Sequence, residues 1–336
     1  MKHIRLSGSP LEKGLMHGEH YKKEIRELAG LRMALLRQYL FDTSRMEAIV
    51  DKQLAVLAHH ADLHAEFCGI ARAAGCSLLE LAVLNNYTDL RDFAPTDEGC
   101  SLFGVLDQGV LLCGQTWDMH ASARPYALHI ELEDPVRTHV LSLTGCLGMA
   151  GVGARGVAVL INNLWSDETA AGLMWPALVR ELLLQPTAAT AGDYLIQHMP
   201  SSGRNYLLCG PDGACNIECT GRRHAQTFGG TAGLVLHTNH YLSGLAATQK
   251  PLKKDSTSLQ RLQDLQTYFA AGGRHDLQSL SRDILAGEKV KTVNIPQPAH
   301  PDMPMTCGGL ILDMPARRGR AFAGNYGEGD WRDISW

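Results

Sequence analysis

Long apolar runs are missing from this chain of 336 residues. None approaches the roughly 18–20 residues that a membrane-spanning helix needs, so no membrane contact is expected. The opening, Met1-Lys-His-Ile-Arg-Leu-Ser-Gly, lacks the apolar stretch of a secretory signal, which gives a cytoplasmic expectation. An excess of positive charge is missing too. Lys and Arg number 31 against 35 Asp and Glu, a net charge of −4, and such a surface offers nucleic acid no basic footprint.

The nine cysteines (68, 76, 100, 113, 146, 209, 215, 219 and 307) contain no Cys-x-x-Cys. Odd in number and scattered, they read as thiols in a reducing compartment, not as a disulfide framework or a redox motif. Cys215 and Cys219 share a face of a strand-like run. No nearby His or second Cys pair completes four zinc ligands there, so no metal is expected. His60 and His64 stand four apart on a predicted helix, but without the intervening Glu of His-Glu-x-x-His they read as a solvated face. Gly151-Val-Gly-Ala-Arg-Gly156 matches G-x-G-x-x-G, yet Val157-Ala-Val-Leu-Ile161 after it reads as a strand. A dinucleotide needs a helix N-terminus at that point, so these glycines predict a tight hairpin and no cofactor.

What is present is ordinary globular material, 45% hydrophobic and 20% charged, enough for one large domain or two modest ones. Residues 1 to about 95 read as helical. A long amphipathic segment runs from Leu11 to Tyr39-Leu40, a second helix covers about 44–59, and a third about 61–74. Ser77-Leu-Leu-Glu80 has the capping-box spacing that starts a fourth. After Gly99 the pattern changes to short Val, Ile and Leu runs between Gly-containing turns, at 100–106, 110–117, 126–132, 138–143 and 156–163. Helical patterns follow at 173–185 and 188–199, then strands at 205–209, 214–219 and 233–237. Helices at 256–271 and 276–286 precede two last strands, 309–313 and 320–323. Helices followed by two strand blocks predict packed sheets covered by helices.

The junction is Thr96-Asp-Glu-Gly-Cys-Ser101. A cysteine in an apolar strand is most often a small buried hydrophobe. Cys100, however, opens its strand straight after a flexible Gly99. If the chain is cut between them, the thiol gains a free α-amine with a reference pKa of about 7.7–8.0, part of it neutral near pH 7. Nucleophile and base then sit on one residue.

The context on both sides of that pair resembles the acyl-coenzyme A:6-aminopenicillanic acid acyltransferase family, the isopenicillin N acyltransferases, within the Ntn hydrolases. The resemblance covers nearly the whole length. It is carried by Gly8-Ser-Pro-Leu-Glu-Lys-Gly14 with Gly18, by Ala65-Glu-Phe-Cys-Gly-Ile-Ala-Arg-Ala-Ala-Gly75, and by Gly99-Cys100 at the autocleavage site. Further matches are Gly114-Gln-Thr-Trp-Asp118, Leu178 to Leu184, Met199 to Leu208, Asp212-Gly-Ala-Cys-Asn-Ile-Glu218 and Thr238-Asn-His-Tyr241. It implies an α+β fold, a four-layer αββα sandwich preceded by a helical N-terminal segment. Residues 1–99 would form an α chain kept after cleavage, and residues 100–336 a catalytic β chain.

By the same resemblance Cys100 is the nucleophile, Asp118 the acid that orients its amine, and Asn239 the oxyanion-hole amide. Arg261, in Asp255-Ser-Thr-Ser-Leu-Gln-Arg261, resembles the helix-borne arginine of the wider superfamily. Asn162, Trp117 and Thr116 stand in supporting positions. Gly153 replaces an Asn that many relatives carry in the hairpin, so any side-chain contribution there is lost. The implied activity is autoprocessing followed by cleavage of a linear amide through a thioester, with a small-molecule amide or acyl donor as partner. Acyl-coenzyme A-dependent transfer and an unprocessed, ligand-binding member of the fold remain alternatives. A homo-oligomer is left open.

Overall fold

The computed structural model describes residues 1–39, 43–91, 99–107, 109–301 and 303–336. Thr96, Asp97 and Glu98, read above as part of the junction, lie outside the described residues, as does Leu40.

The chain begins with a strand, β1 (Lys2–Leu6), and five helices: α1 (Pro10–His20), α2 (Lys22–Tyr39), α3 (Thr43–Leu57), α4 (Ala61–Ala74) and α5 (Leu78–Arg91). The capping box expected at Ser77 forms. Glu80 accepts from the Ser77 N–H and hydroxyl at 2.8 and 2.9 Å, and Ser77 Oγ accepts from Glu80 N at 3.1 Å. The long segment expected over 11–40 divides at Tyr21, and β1 was not anticipated.

Gly14, Gly18 and Gly69, from the first two matching segments, share one packing reason. Helices α1 and α4 cross in close contact. A methyl on Gly14 would lie 2.1 Å from the Glu66 carbonyl, and one on Gly69 would lie 3.0 Å from Gly14 Cα. Backbones that close leave no room for a Cβ.

From Gly99 onward the strands are β2 (Cys100–Asp107), β3 (Val110–His120), β4 (Ala127–Leu132), β5 (Thr138–Leu143), β6 (Ala150–Gly153) and β7 (Ala158–Asn163). Two helices follow, α6 (Trp175–Leu182) and α7 (Ala188–Gln197). Next come β8 (Arg204–Gly210), β9 (Gly213–Cys219), β10 (His224–Gly230) and β11 (Gly233–His237). Helices α8 (Ser258–Ala270) and α9 (Leu277–Leu280), the latter continued by a π-turn, precede β12 (Pro304–Asp313), β13 (Arg318–Ala323) and β14 (Trp331–Ser335). The G-x-G-x-x-G stretch is the β6–β7 hairpin, as its sequence suggested.

Two sheets result. One has eight strands in the order β1-β4-β5-β6-β7-β8-β9-β10, the other six in the order β11-β2-β3-β12-β13-β14. They stack through β2 and β7, with α7 on the outer face of the first and α8 on the outer face of the second, which makes the four-layer αββα sandwich. One correction follows. Because β1 pairs in parallel with β4, the sandwich includes residues from before Gly99, and residues 1–95 are not wholly helical. Between the sheets, Gln115 Oε1 accepts from Ile161 N at 2.8 Å, beyond the last residue that short β6 pairs with.

Helices α4 and α6 each pack against α5, making one helical group. Across it runs a buried ion pair in which Arg180 of α6 grips Glu66 of α4 at 2.9 and 2.8 Å. Burial pushes Glu66 up, and Arg180 more than reverses this, so its carboxyl stays below the usual range. Gly153 faces the same helix. A Cβ there would lie 2.1 Å from the Leu183 carbonyl, so the backbone fit at this position excludes any side chain.

Candidate active site

Cys100 is the first residue of β2, buried, and opposite Trp117 of β3. Its N–H donates to Asn239 Oδ1 at 2.8 Å. Its carbonyl accepts from Asn162 Nδ2 at 3.0 Å and from Arg261 Nη1 at 2.8 Å. Three residues distant in sequence thus fix the two peptide units that flank the Cys100 Cα. One step earlier, the Gly99 carbonyl accepts the Asp118 N–H at 2.8 Å, so the bond between Gly99 and Cys100 already carries a donor on its carbonyl.

Asp118 lies within β3, which continues to His120, and is not the turn residue that a shorter strand would have made it. Opposite it stands Thr306, whose hydroxyl donates to Asp118 Oδ1 at 2.7 Å. A bulge follows between Thr306 and Gly308, a device that re-aims side chains at a sheet end. Asp118 Oδ2 is buried and has no hydrogen-bond partner among the described residues. It lies against Gly99, where an added Cβ would sit 2.6 Å from it. Burial pushes the Asp118 carboxyl up to about 7, against the opposing pull of Arg261 and Thr306. The structure therefore keeps a carboxyl whose proton affinity is raised, with one oxygen unpartnered among the described residues, beside the Gly99–Cys100 bond.

Arg261 is 1% exposed, not a surface residue of α8. Besides the Cys100 carbonyl it donates to Ser101 Oγ and Asn239 Oδ1, each at 2.8 Å, and to Thr257 Oγ1 at 3.0 Å. Burial lowers its proton affinity, offset by Asp118 and Cys100.

Asn239 follows the end of β11. Its N–H donates to Ser258 Oγ at 2.8 Å, at the start of α8. Its side-chain NH₂ donates to the Asn163 carbonyl at 3.0 Å while Oδ1 faces Cys100 N and Arg261. Asn162 belongs to a ladder across three strands: Asn205 Nδ2 donates to Asn162 Oδ1 and to Asn216 Oδ1, each at 3.1 Å. Thr116 Oγ1 accepts from Ser101 N at 3.3 Å.

Every residue expected at the site from sequence is thus gathered at one sheet end. Thr306, Ser258, Ser101, Asn163, Asn205 and Asn216 were not anticipated there. Asn205 and Asn216 lay in quoted motifs, and Ser258 one turn before Arg261. Thr306, 188 residues from Asp118, had no local signal. The two histidines have separate partners: His60, the residue before α4, has Nδ1 3.3 Å from Glu181, and His64, within α4, has Nε2 3.6 Å from Cys68 Sγ. Both are half-buried, a departure from the expected solvated face. Among the described residues, no group of three or more His, Cys, Asp or Glu could hold a metal.

Beside Cys100 a mostly apolar cavity opens between the sheets. Trp117, Leu141, Leu143, Met149 and Ile161 line it, and α2 and α5 close it with Arg32 and Asn85. Such a space holds an apolar group next to the thiol and limits water.

No family model matches the chain. A curated relative, the acyl-coenzyme A:6-aminopenicillanic-acid-acyltransferase 40 kDa form of Emericella nidulans, is 23% identical over 252 residues, 72% of this chain and 70% of the relative. Among solved structures, penicillin V acylase from Agrobacterium tumefaciens superposes with a TM-score of 0.38 at 11% identity, covering 67% of this chain and 82% of that one. A mutant of conjugated bile acid hydrolase from Clostridium perfringens gives 0.44 at 11% identity, covering 70% and 92%.

Proposed function

We propose that this chain, which is similar to an acyl-coenzyme A:6-aminopenicillanic-acid-acyltransferase, is an Ntn-type enzyme that cuts itself between Gly99 and Cys100 and then cleaves linear amides with the new N-terminal cysteine. The observation that supports this most is the convergence on Cys100: Asn239, Asn162 and Arg261 on its peptide groups, and Asp118 on the preceding carbonyl.

In processing, Cys100 Sγ bonds to the Gly99 carbonyl carbon while the C–N bond breaks, and the thiol proton ends on the freed nitrogen. The Asp118 N–H stabilises the oxyanion, and the Asp118 carboxyl, near neutrality, is placed to relay the proton. Water then hydrolyses the thioester, leaving a Gly99 carboxylate and restoring the thiol. In the mature enzyme the Cys100 amine takes the thiol proton and the thiolate attacks a substrate amide. Arg261 favours the thiolate through its charge. Asn239 holds the Cys100 nitrogen, and its amide is the candidate oxyanion donor once that nitrogen is free to move. The amine protonates the departing nitrogen, and water resolves the acyl-enzyme.

The two pieces would remain together. Asp89 of α5 receives Ser202 Oγ at 2.7 Å and pairs with Arg204, Glu66 holds Arg180, and His17 Nε2 accepts from Gly145 N at 2.9 Å. All of these contacts cross the proposed cut.

Intact mass of freshly purified protein tests the reading. Two chains divided at Gly99/Cys100 are expected from the wild type and one from Cys100→Ala. A Cys100→Ala chain that still divides at this bond would assign the cut to another protease.

A further inference from the structure

Behind Asn239 lies a pair that the proposed chemistry does not use. His237 ends β11 and Glu218 lies on β9, each with 0% exposure. His237 Nε2 is 2.8 Å from Glu218 Oε1, and His237 Nδ1 is 2.7 Å from the Thr238 carbonyl. Both facing atoms are acceptors. Burial pushes the Glu218 carboxyl up, but hydrogen bonds from His237 and Ser243 bring it below the usual range, so it is ionised. A neutral imidazole donates from one nitrogen only, and donating from both requires the imidazolium.

The pair controls one peptide. The unit joining Thr238 to Asn239 is held at its carbonyl by His237 and at its N–H by Ser258. Glu218 also receives the Leu242 N–H at 2.6 Å and the Ser243 N–H at 3.0 Å. Both arms of the loop carrying Asn239 therefore close on one buried carboxylate. Among the described residues, His240 on that loop interacts with both members of the pair and Cys219 with Glu218, while Arg261 from α8 acts on His240. His240 is pushed down to about 4 by burial, with His237 and Arg261 adding to it, so it is neutral near pH 7 and does not compete for the carboxylate.

We infer that Glu218 and His237 form a buried carboxylate–imidazolium pair that positions Asn239 against Cys100. This rests on the reading of Cys100 as nucleophile. A loose Asn239 would misplace the Cys100 nitrogen, and misplacements of about 1 Å cost on the order of 10²-fold in rate.

The test uses two readouts on the full chain. Long-range ¹⁵N–¹H spectra of the wild type near pH 7, with the His237 ring assigned through its own side-chain and backbone resonances, should show both ring nitrogens protonated. A neutral ring overturns the inference, even if no variant folds. Kinetically, Glu218→Gln should lower kcat by about 10²-fold with KM unchanged, and Glu218→Asp, which keeps the charge, should recover part of the loss. A Glu218→Gln protein with a lower Tm but unchanged kcat per folded molecule would make the pair merely structural. Wild type that turns over no amide would defeat the proposed function, while the spectra would still decide the charge of His237.

Discussion

Arg180 and Arg261 are both buried arginines, and they are used in opposite ways. Arg180 faces a carboxylate with matched geometry, two parallel hydrogen bonds to Glu66 and a third at 3.2 Å to the Leu147 carbonyl. All four hydrogen bonds of Arg261 go to neutral oxygens: Thr257, Cys100, Ser101 and Asn239. Its nearest negative partner, Asp118, acts through space and is itself lifted toward neutrality. A buried cation whose charge is neutralised at rest is scaffolding. One surrounded by dipoles, beside a thiol, suits the proposed chemistry, in which negative charge arises only during reaction.

The comparison breaks most plainly at Arg261. Arg261→Lys keeps the charge but loses the fork that reaches three oxygens, so kcat should fall by about 10²–10³-fold, as for loss of an oxyanion donor. An Arg261→Lys enzyme of near-normal turnover would return this residue to the same class as Arg180. Asn239→Ala should cost a similar 10²–10³-fold in turnover. Because Asn239 also joins Cys100 N to Asn163, the melting temperature should fall too, and a fall in Tm alone would make it structural.

The scaffold pair gives the next effect. Glu66→Gln leaves Arg180 buried without its carboxylate and should destabilise by about 3–5 kcal/mol, read by urea unfolding, with kcat per folded molecule unchanged. Replacing both, Glu66→Leu with Arg180→Met, should recover most of that loss. A double variant no better than the single would show that Arg180 does more than balance charge.

The smallest effect is in pH dependence. With the Gly99–Cys100 bond intact the Asp118 carboxyl is raised to about 7, above its unfolded value, and the Cys100→Ala chain is expected to keep that environment. The folded state therefore binds the proton more tightly. Its stabilising contribution is complete below about pH 4 and is lost as pH rises toward 7. Asp118→Asn in that background should remove this slope, so the variant gains on its parent between about pH 4 and 7 and runs parallel above. Parallel unfolding curves over the whole range would place the Asp118 carboxyl at its ordinary value.

These contrasts were unevenly legible in the chain. Cys100, Asp118, Asn239 and Arg261 could be named because each sits in a short motif with local structure around it. The supporting groups could not, since Thr306 meets Asp118 only through β12–β3 pairing, and His237 meets Glu218 only when β11 and β9 lie in facing sheets. The helices of the first 91 residues follow their apolar spacing and caps, and the hairpins follow their glycines. Besides short β6, which lay inside the expected glycine hairpin, the missed strands are of two kinds. β10, His-Ala-Gln-Thr-Phe-Gly-Gly, and β14, Trp-Arg-Asp-Ile-Ser, are exposed edge strands with little apolar alternation. β1 is a strand because β4, more than 120 residues away, offers it a partner. No local pattern records that.

That borrowed strand has a consequence for how the molecule would come apart. All six residues of β4 are buried, and β1 covers one of its two edges. Stripping residues 1–99 from a cut molecule would uncover a fresh apolar edge able to template pairing with other chains. The loss would appear as precipitation before it appeared as slow catalysis. Colloidal behaviour, as much as activity, would then hold the sequence of β1 in place.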